Sequence, residues 1–426
     1  MTLARLLEAL RSKRTLSVSL LSFASGLPLG LVWYAIPDWM RDIGVDIRVV
    51  GLLTLAQAPW SFKVLWSPLM DRYVPPFWGR RRGWMAVTQL ALAVLVMALA
   101  AVGQRPDALW VVGALAFAIA IASASQDIAI DAYAVEVLRK EEQGAAVGAR
   151  LAFYRAAMLV SGGAAITLAA RLGWPAVNVL LAVVFVLMVA LTWRSPEPDV
   201  QPTPPQTLRD AVWLPLAGMF RRPRALEILA FVVLYKLGDQ LTQSLTRPFL
   251  IDMGYDAVHR GIALASLSVV LTVLGTFAGG LVTTAAGLGH SLWIFGALQI
   301  FSNAGYFLLS VLDRPNLAAM YGATGFEVFT SGLGMGAFGV LLLRLTEKRF
   351  SATQYALFSS LFALPRVVAG PITGFTVNAV GWPAFFLLTM ILGVPGLMML
   401  ARFVPLGIRE PDLNHEAHDG IDAHED

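Results

Sequence analysis

The feature that most restricts this chain is a succession of apolar runs, many of them about twenty residues long, parted only by short clusters of charge. About twenty apolar residues in a helix cross ~30 Å of hydrocarbon, so each such run is long enough to span a bilayer. Of the 426 residues 57% are hydrophobic and 14% charged, against roughly 25% charged in an ordinary soluble domain. A soluble chain of this length would divide into two or three domains and carry its charge on their surfaces. The chain therefore reads as an all-α, polytopic membrane protein.

Breaks at glycine, proline and charge clusters place spans near 15–40, 49–70, 84–103, 108–137, 144–170 and 174–193, and again near 224–250, 258–286, 290–312, 316–344, 350–379 and 382–404. The N-terminal MTLARLLEALRSKRT is a basic amphipathic segment, and the apolar stretch after it does not have the form of a cleavable signal. The absence of cysteine excludes disulfides and thiolate metal sites. A pI near 9.4 could point to nucleic acid. Arginines held in short inter-helix loops explain it better: most Lys and Arg, including Arg80–Arg82, Arg139, Arg221 and Arg349, fall on one side, which sets both termini in the cytoplasm.

The polar, proline-rich stretch 194–223 reads as a cytoplasmic linker between an N-terminal six-helix bundle, 1–193, and a C-terminal one, 224–404, followed by a polar tail, 405–426. The halves match at an offset near 210: Gly44 and Asp46 with Gly254 and Asp256, Gly51 with Gly261, Gln89 with Gln299, Gln143 with Gln354, Arg155 with Arg366. Gly-Trp-Pro-Ala at 173–176 recurs at 381–384. A parallel six-plus-six repeat of this kind is the signature of the major facilitator architecture, whose substrate sits between the halves near the midplane.

Mechanism-bearing residues fall into two sets. In the loop LWSPLMDRYVPPFWGRRRGW (65–84), Asp71 can face the positive N-terminus of the eleventh helix near Phe350, while Arg72, Arg80 and Arg81 pair with an acid such as Glu136. This is a gating latch; the alternative is that the arginines serve topology alone. The second set is charge within the hydrocarbon, which costs about 2.5–3.5 kcal/mol per group on the insertion scale. It comprises Lys63, Asp127, Asp131, Arg150, Arg155, Lys236, Asp239, Arg247, Glu327 and Arg366. Equal depth in antiparallel spans pairs Asp127 with Arg155, Asp131 with Arg150, and Glu327 with Arg366, and the i,i+3 spacing sets Lys236 beside Asp239.

Each pair is open to a structural reading, as a self-satisfied ion pair, and a functional one. In the functional reading Lys236, Arg155 and Arg366 anchor an anionic solute, and Asp127, Asp131, Asp239 and Glu327 carry protons. Gln57, Gln126, Gln243 and Asn303 offer amides to a polar solute or to neighbouring helices. Trp33 and Tyr34 offer stacking surfaces or serve packing, and Gly26, Pro28 and Gly30 permit a bend and a close helix approach. His415, His418 and His424 stand in the polar tail, where a metal site is conceivable and a solvated tail the plainer reading; no metal and no cofactor is expected, the proton gradient supplying the drive.

Together the runs FASGLPLG, LWSPLMDRYVPPFWGRRRGW, SASQDIAIDA, YRAAMLVSGG, VLYKLGD, SNAGY and FSATQYALFSS resemble the AmpG-type muropeptide permeases over most of the chain. The resemblance implies proton-driven import of GlcNAc-anhydroMurNAc and its peptides across the bacterial inner membrane, for cell-wall recycling with a link to β-lactamase induction. It carries Gly26, Gln126, Asp127, Asp131, Lys236 and Asp239 over as site residues, which stand inside the matching runs. The partners expected are a sugar-peptide and the lipid bilayer, and the chain is expected to act as a monomer. Rival functions are a major facilitator for another anionic or amphipathic solute, and a membrane enzyme or sensor. An enzyme would need a nucleophile or metal constellation, and the sequence has no Cys and no His-x-x-x-His.

Overall fold

The computed structural model describes residues 8–45, 53–102, 108–199, 202–222, 224–411 and 413, and among these there is helix and no strand. The first half runs through α1 (Lys13–Asp42), α2 (53–72, in short pieces), α3 (Gly79–Val102), α4 (Leu109–Val137), α5 (Gln143–Leu172) and α6 (Trp174–Arg194). The second half begins with α7, made of Ala225–Leu234 and Leu237–Asp252, then α8 (Ala257–Ala286), α9 (Leu288–Ser310) and α10 (Leu317–Leu345). A final helical run, Ser351–Phe403, is broken at Gly381 (φ 76°) into α11 (351–380) and α12 (381–403).

Among the described residues nine helices are long and apolar enough to cross a bilayer. The ninth of these, Thr373–Phe403, takes in the end of α11 with α12, and α2 and α7 are not among the nine. α2 changes to tighter 3₁₀ turns at 53–57 and at 63–65, and α7 is interrupted at Tyr235–Lys236. Lys63 and Lys236 stand at these two breaks. Charged residues and unwound backbone at one place are what a buried polar site requires, because irregular backbone is tolerated at membrane depth only where protein or a cavity satisfies it.

The internal repeat survives in the backbone. Gly44 (φ 89°) and Gly254 (φ 79°) end the first helix of each half, and Gly173 (φ 79°) and Gly381 (φ 76°) open the last. All four sit in the left-handed region that glycine enters without strain. Asp46 and Gly51, part of the same repeat, lie outside the described residues. The stretch 194–223 is more than a polar connection: it holds a helix, Leu208–Arg221, started by a capping box between Thr207 and Asp210.

α1 and α5 cross closely. A Cβ on Gly26 would lie 2.2 Å from Tyr154 O, and one on Gly30 would lie 2.1 Å from Ser161 Oγ. α5 and α8, from opposite halves, meet in the same way: a Cβ on Gly280 would lie 2.1 Å from Gly144 O. Three apolar clusters follow from this arrangement. One joins both halves, packing Met70, Ile130 and Val147 with Tyr235, Leu341 and Phe358. The second is confined to the first half, around Trp39, Trp174 and Phe185, and the third to the second half, around Phe249, Tyr306 and Phe386. The molecule thus has one core at one end and two separate cores at the other. The shared core lies toward the end that carries the start of α1, the arginine loop, the linker and the close of α12; it is called the basic end below.

Candidate functional site

At the basic end the loop between α2 and α3 is locked onto α11. Asp71, fully buried, accepts at Oδ2 from Thr353 N (2.8 Å) and Thr353 Oγ1 (2.7 Å), and at Oδ1 from Ala352 N (3.3 Å) and Arg81 Nη2 (2.5 Å). The carboxylate therefore faces the free N–H groups and positive end of α11, where a negative charge is favoured. Arg81 reaches on to Glu136 (2.7 Å) and Ser351 (2.7 Å), and Arg80 to Glu136 (2.8 Å) and to the carbonyl of Arg349 (3.2 Å). Two further links fasten the same end: Arg222, just past the linker helix, bonds Glu347 (2.8 Å), and Arg344 bonds Gln143 (3.1 Å).

Deeper in the first half, Asp131 is held by Lys63 (3.2 Å) and by Arg150. One turn along α4, Asp127 has no ion-pair partner among the described residues; its Oδ1 is buried without a hydrogen bond, and Ser25 stands beside the carboxyl. In the second half Lys236, at the break in α7, donates to Asp239 (2.6 Å), Ser331 Oγ (2.9 Å), the Ser331 carbonyl (3.1 Å) and Gln299. Glu327 accepts from Gln243 (2.9 Å). On the far side of the shared core a cavity of about 240 Å³ lies between the halves. The first half gives it Leu151 and Arg155, and the second gives Gln243, Glu327, Ser331 and a set of hydroxyl side chains. Arg155 Nε is buried with no partner, and Nη1 meets only Met158 Sδ, at 3.9 Å. A guanidinium that lines a cavity and has no carboxylate partner among the described residues can serve as an anion site, since its fork matches a carboxylate.

The family model of the major facilitator superfamily matches residues 18–370. The chain belongs to that superfamily. The anhydromuropeptide permease of Escherichia coli is 43% identical over 396 residues, covering 92% of this chain and 80% of the relative. An uncharacterized protein of Haemophilus influenzae is 33% identical, covering 93% and 95%. Among solved structures, the human organic anion transporter MFSD10 overlays with a TM-score of 0.66 at 14% identity, covering 91% of this chain and 99% of that one. A bacterial homologue of the iron transporter ferroportin, in an outward-facing state, gives 0.68 at 13%, covering 92% and 99%. The protein is a transporter homologous to an anhydromuropeptide permease, not an enzyme.

Within this superfamily fold the residues singled out in the sequence separate. Three line the cavity: Arg155, Gln243 and Glu327. Asp71, Arg80, Arg81 and Glu136 form one network; Arg72 is not part of it and lies over the Tyr73 ring at 5.6 Å, and Arg82 turns to the linker, bonding Ser195 O (3.0 Å). The equal-depth pairing of Asp131 with Arg150 is present. That of Asp127 with Arg155 is not: no ion pair joins them, because equal depth leaves the rotation of each helix about its axis free. The side chain of Arg366 lies outside the described residues, as do His415, His418 and His424.

Other positions take packing roles or remain unsatisfied. Gly26 serves the α1–α5 contact. Trp33 packs edge-on against Trp60, centroids 6.3 Å apart, and the half-exposed Tyr34 lies against Gly162; neither is among the residues lining the cavity. Gln126 and Asn303 are buried with both amide atoms unpaired, and Gln57 is half-buried near the start of α2. Sequence reasoning missed Thr246, Ser268, Thr272, Tyr306 and Thr324, which line the cavity. Serine, threonine and tyrosine are too common in membrane helices for any single one to stand out.

Proposed function

We propose that the protein imports anhydro-muropeptides, GlcNAc-anhydroMurNAc and its peptide derivatives, across the bacterial inner membrane with the proton gradient as drive, acting as a monomer in cell-wall recycling. The observation that carries this reading is the cavity between the halves with an unpaired arginine on its wall, in a chain 43% identical to a permease for that ligand. The basic end is then cytoplasmic. The shared core, the Asp71–Arg81–Glu136 network and the α5–α8 contact join the halves on that side, and in this reading the ligand reaches the cavity from the other side, where the cores are separate. Import begins when the ligand enters from there, and proceeds when the latch at α11 releases.

Proton coupling needs a carboxylate that can take up and give back a proton without first breaking an ion pair. Asp131 and Asp239 are held by cations, whereas Asp127 has no cation partner and Glu327 is met by an amide. Asp127 is therefore the first coupling group and Glu327 the second. The test is uptake of labelled GlcNAc-anhydroMurNAc-peptide into proteoliposomes under an imposed pH gradient. Uptake competed by the disaccharide and not by free peptide is expected; absence of uptake, with transport of an unrelated anion instead, overturns the reading. Asp127→Asn is expected to abolish gradient-driven accumulation and to leave exchange. Accumulation at the wild-type level would move coupling to Glu327 or Asp239.

A further inference from the structure

The cavity walls differ in kind. Against the single cation of the first half, the second half presents, besides the acid Glu327 and several apolar side chains, a set of neutral polar groups, Gln243, Thr246, Ser268, Thr272, Tyr306 and Thr324, contributed by four helices, α7 to α10. Tyr306 and Thr324 are both fully buried, and the Tyr306 hydroxyl sits beside those of Thr324 and Thr246. Yet neither Tyr306 Oη nor Thr324 Oγ1 completes a hydrogen bond. The Tyr306 ring is held rigidly, stacked on Phe386 with centroids 5.4 Å apart and edge-on to Phe249 at 6.0 Å. Buried hydroxyls without partners are uncommon in a settled core, and a rigid pair of them just behind the surface of a cavity, closed to solvent as the structure stands, is suited to a ligand that brings its own hydroxyls and displaces the thin layer over them.

Resting on the muropeptide reading, we propose that the ligand binds with fixed polarity: a pyranose ring lies against the hydroxyl wall of the second half, and the ligand carboxylate is anchored by Arg155 of the first. A cavity of about 240 Å³ falls below the ~300–1,000 Å³ of sites that enclose a whole small ligand. It accepts one ring and its acid arm, and the remainder extends toward the open side. Each hydroxyl of the wall can donate and accept, which suits the mixed donor–acceptor edge of a sugar, while the fork of Arg155 suits a carboxylate. Because the two contacts belong to different halves, a bound ligand ties the halves together across the cavity. Sugar recognition in this chain thus rests on hydroxyl pairs in the second half, not on stacking by Trp33 and Tyr34 of α1.

Purified protein in detergent is titrated with GlcNAc-anhydroMurNAc and with its methyl amide, which keeps the sugars and lacks the charge. Wild type is expected to bind the acid at least tenfold more tightly than the amide. Arg155→Gln removes that preference and leaves amide binding unchanged, and Arg155→Lys keeps part of it. Tyr306→Phe with Thr324→Val weakens acid and amide alike by tenfold or more, and Thr324→Ser, which keeps the hydroxyl, binds as wild type. Equal losses of acid and amide in Arg155→Gln, or unchanged binding in the wall variant, overturn the polarity while the muropeptide reading stands. Wild type that binds neither compound overturns both.

Discussion

The Asp71–Glu136 network and the central cavity are built from the same residue types and differ in how far their hydrogen bonds are completed, although Arg222 Nε at the basic end is also buried without a partner. At the basic end Asp71 accepts four hydrogen bonds, and Glu136 accepts from Arg80, Arg81 and Ser351. In and around the cavity, Arg155 Nε, Tyr306 Oη and Thr324 Oγ1 have no partner. Burying a polar group without a partner costs about 1–3 kcal/mol. A chain that satisfies every oxygen of Asp71 leaves these three open at its midplane, and that contrast separates what holds the protein from what it offers a ligand. Lys236 groups with the former despite its depth: its ammonium is shared among Asp239, Gln299 and Ser331, and it is not among the residues lining the cavity.

The strongest way to break this contrast is to remove a saturated charge. Lys236→Met leaves Asp239 buried beside an unfilled Gln299, and removal of one partner of a buried pair costs ~3–5 kcal/mol. A large fall in melting temperature and in yield is expected, and Lys236→Met with Asp239→Leu should recover much of it. A Lys236→Met protein of wild-type stability that fails only in binding would move Lys236 to the ligand side. Next in size, Asp71→Asn weakens the charge-assisted bond to Arg81, worth ~1.5–3 kcal/mol, and should tip the basic end open. The chain has no cysteine, so spin labels at Lys140→Cys and Lys348→Cys, both exposed, report the separation directly. Longer distances are expected in Asp71→Asn, and an unchanged distribution would remove Asp71 from the latch. A smaller effect, ~1–3 kcal/mol of overpacking, is expected for Gly280→Ala, whose methyl would meet Gly144 O; the same labels should shift by less.

How much of this was legible in the sequence depends on whether a property is periodic or rotational. Long apolar runs, the glycine repeat and the approach of Asp71 to the start of α11 follow from order along the chain, and the backbone carries all three. The capping box Thr207–Asp210 was equally open to view, and the helix it starts was hidden by the proline-rich sequence around it. Facing, by contrast, depends on how each helix is turned. Depth brought Asp131 to Arg150 and failed to bring Asp127 to Arg155. The interruptions fall at two lysines that meet buried acids: Lys63 reaches Asp131 on another helix, which no local period shows, whereas Lys236 meets Asp239 three residues on. The hydroxyl wall needs four helices to assemble, and none of its residues is unusual alone.

The most direct measurement sets stability and affinity side by side for Arg155→Gln. A group that holds no partner in the protein contributes little to folding, so the melting temperature should stay within about 2 °C of wild type. Affinity for GlcNAc-anhydroMurNAc should fall about 10–100-fold, the worth of one charge-assisted contact. A variant that melts far lower and still binds as tightly would contradict the division between the satisfied Asp71–Glu136 network and the unsatisfied cavity.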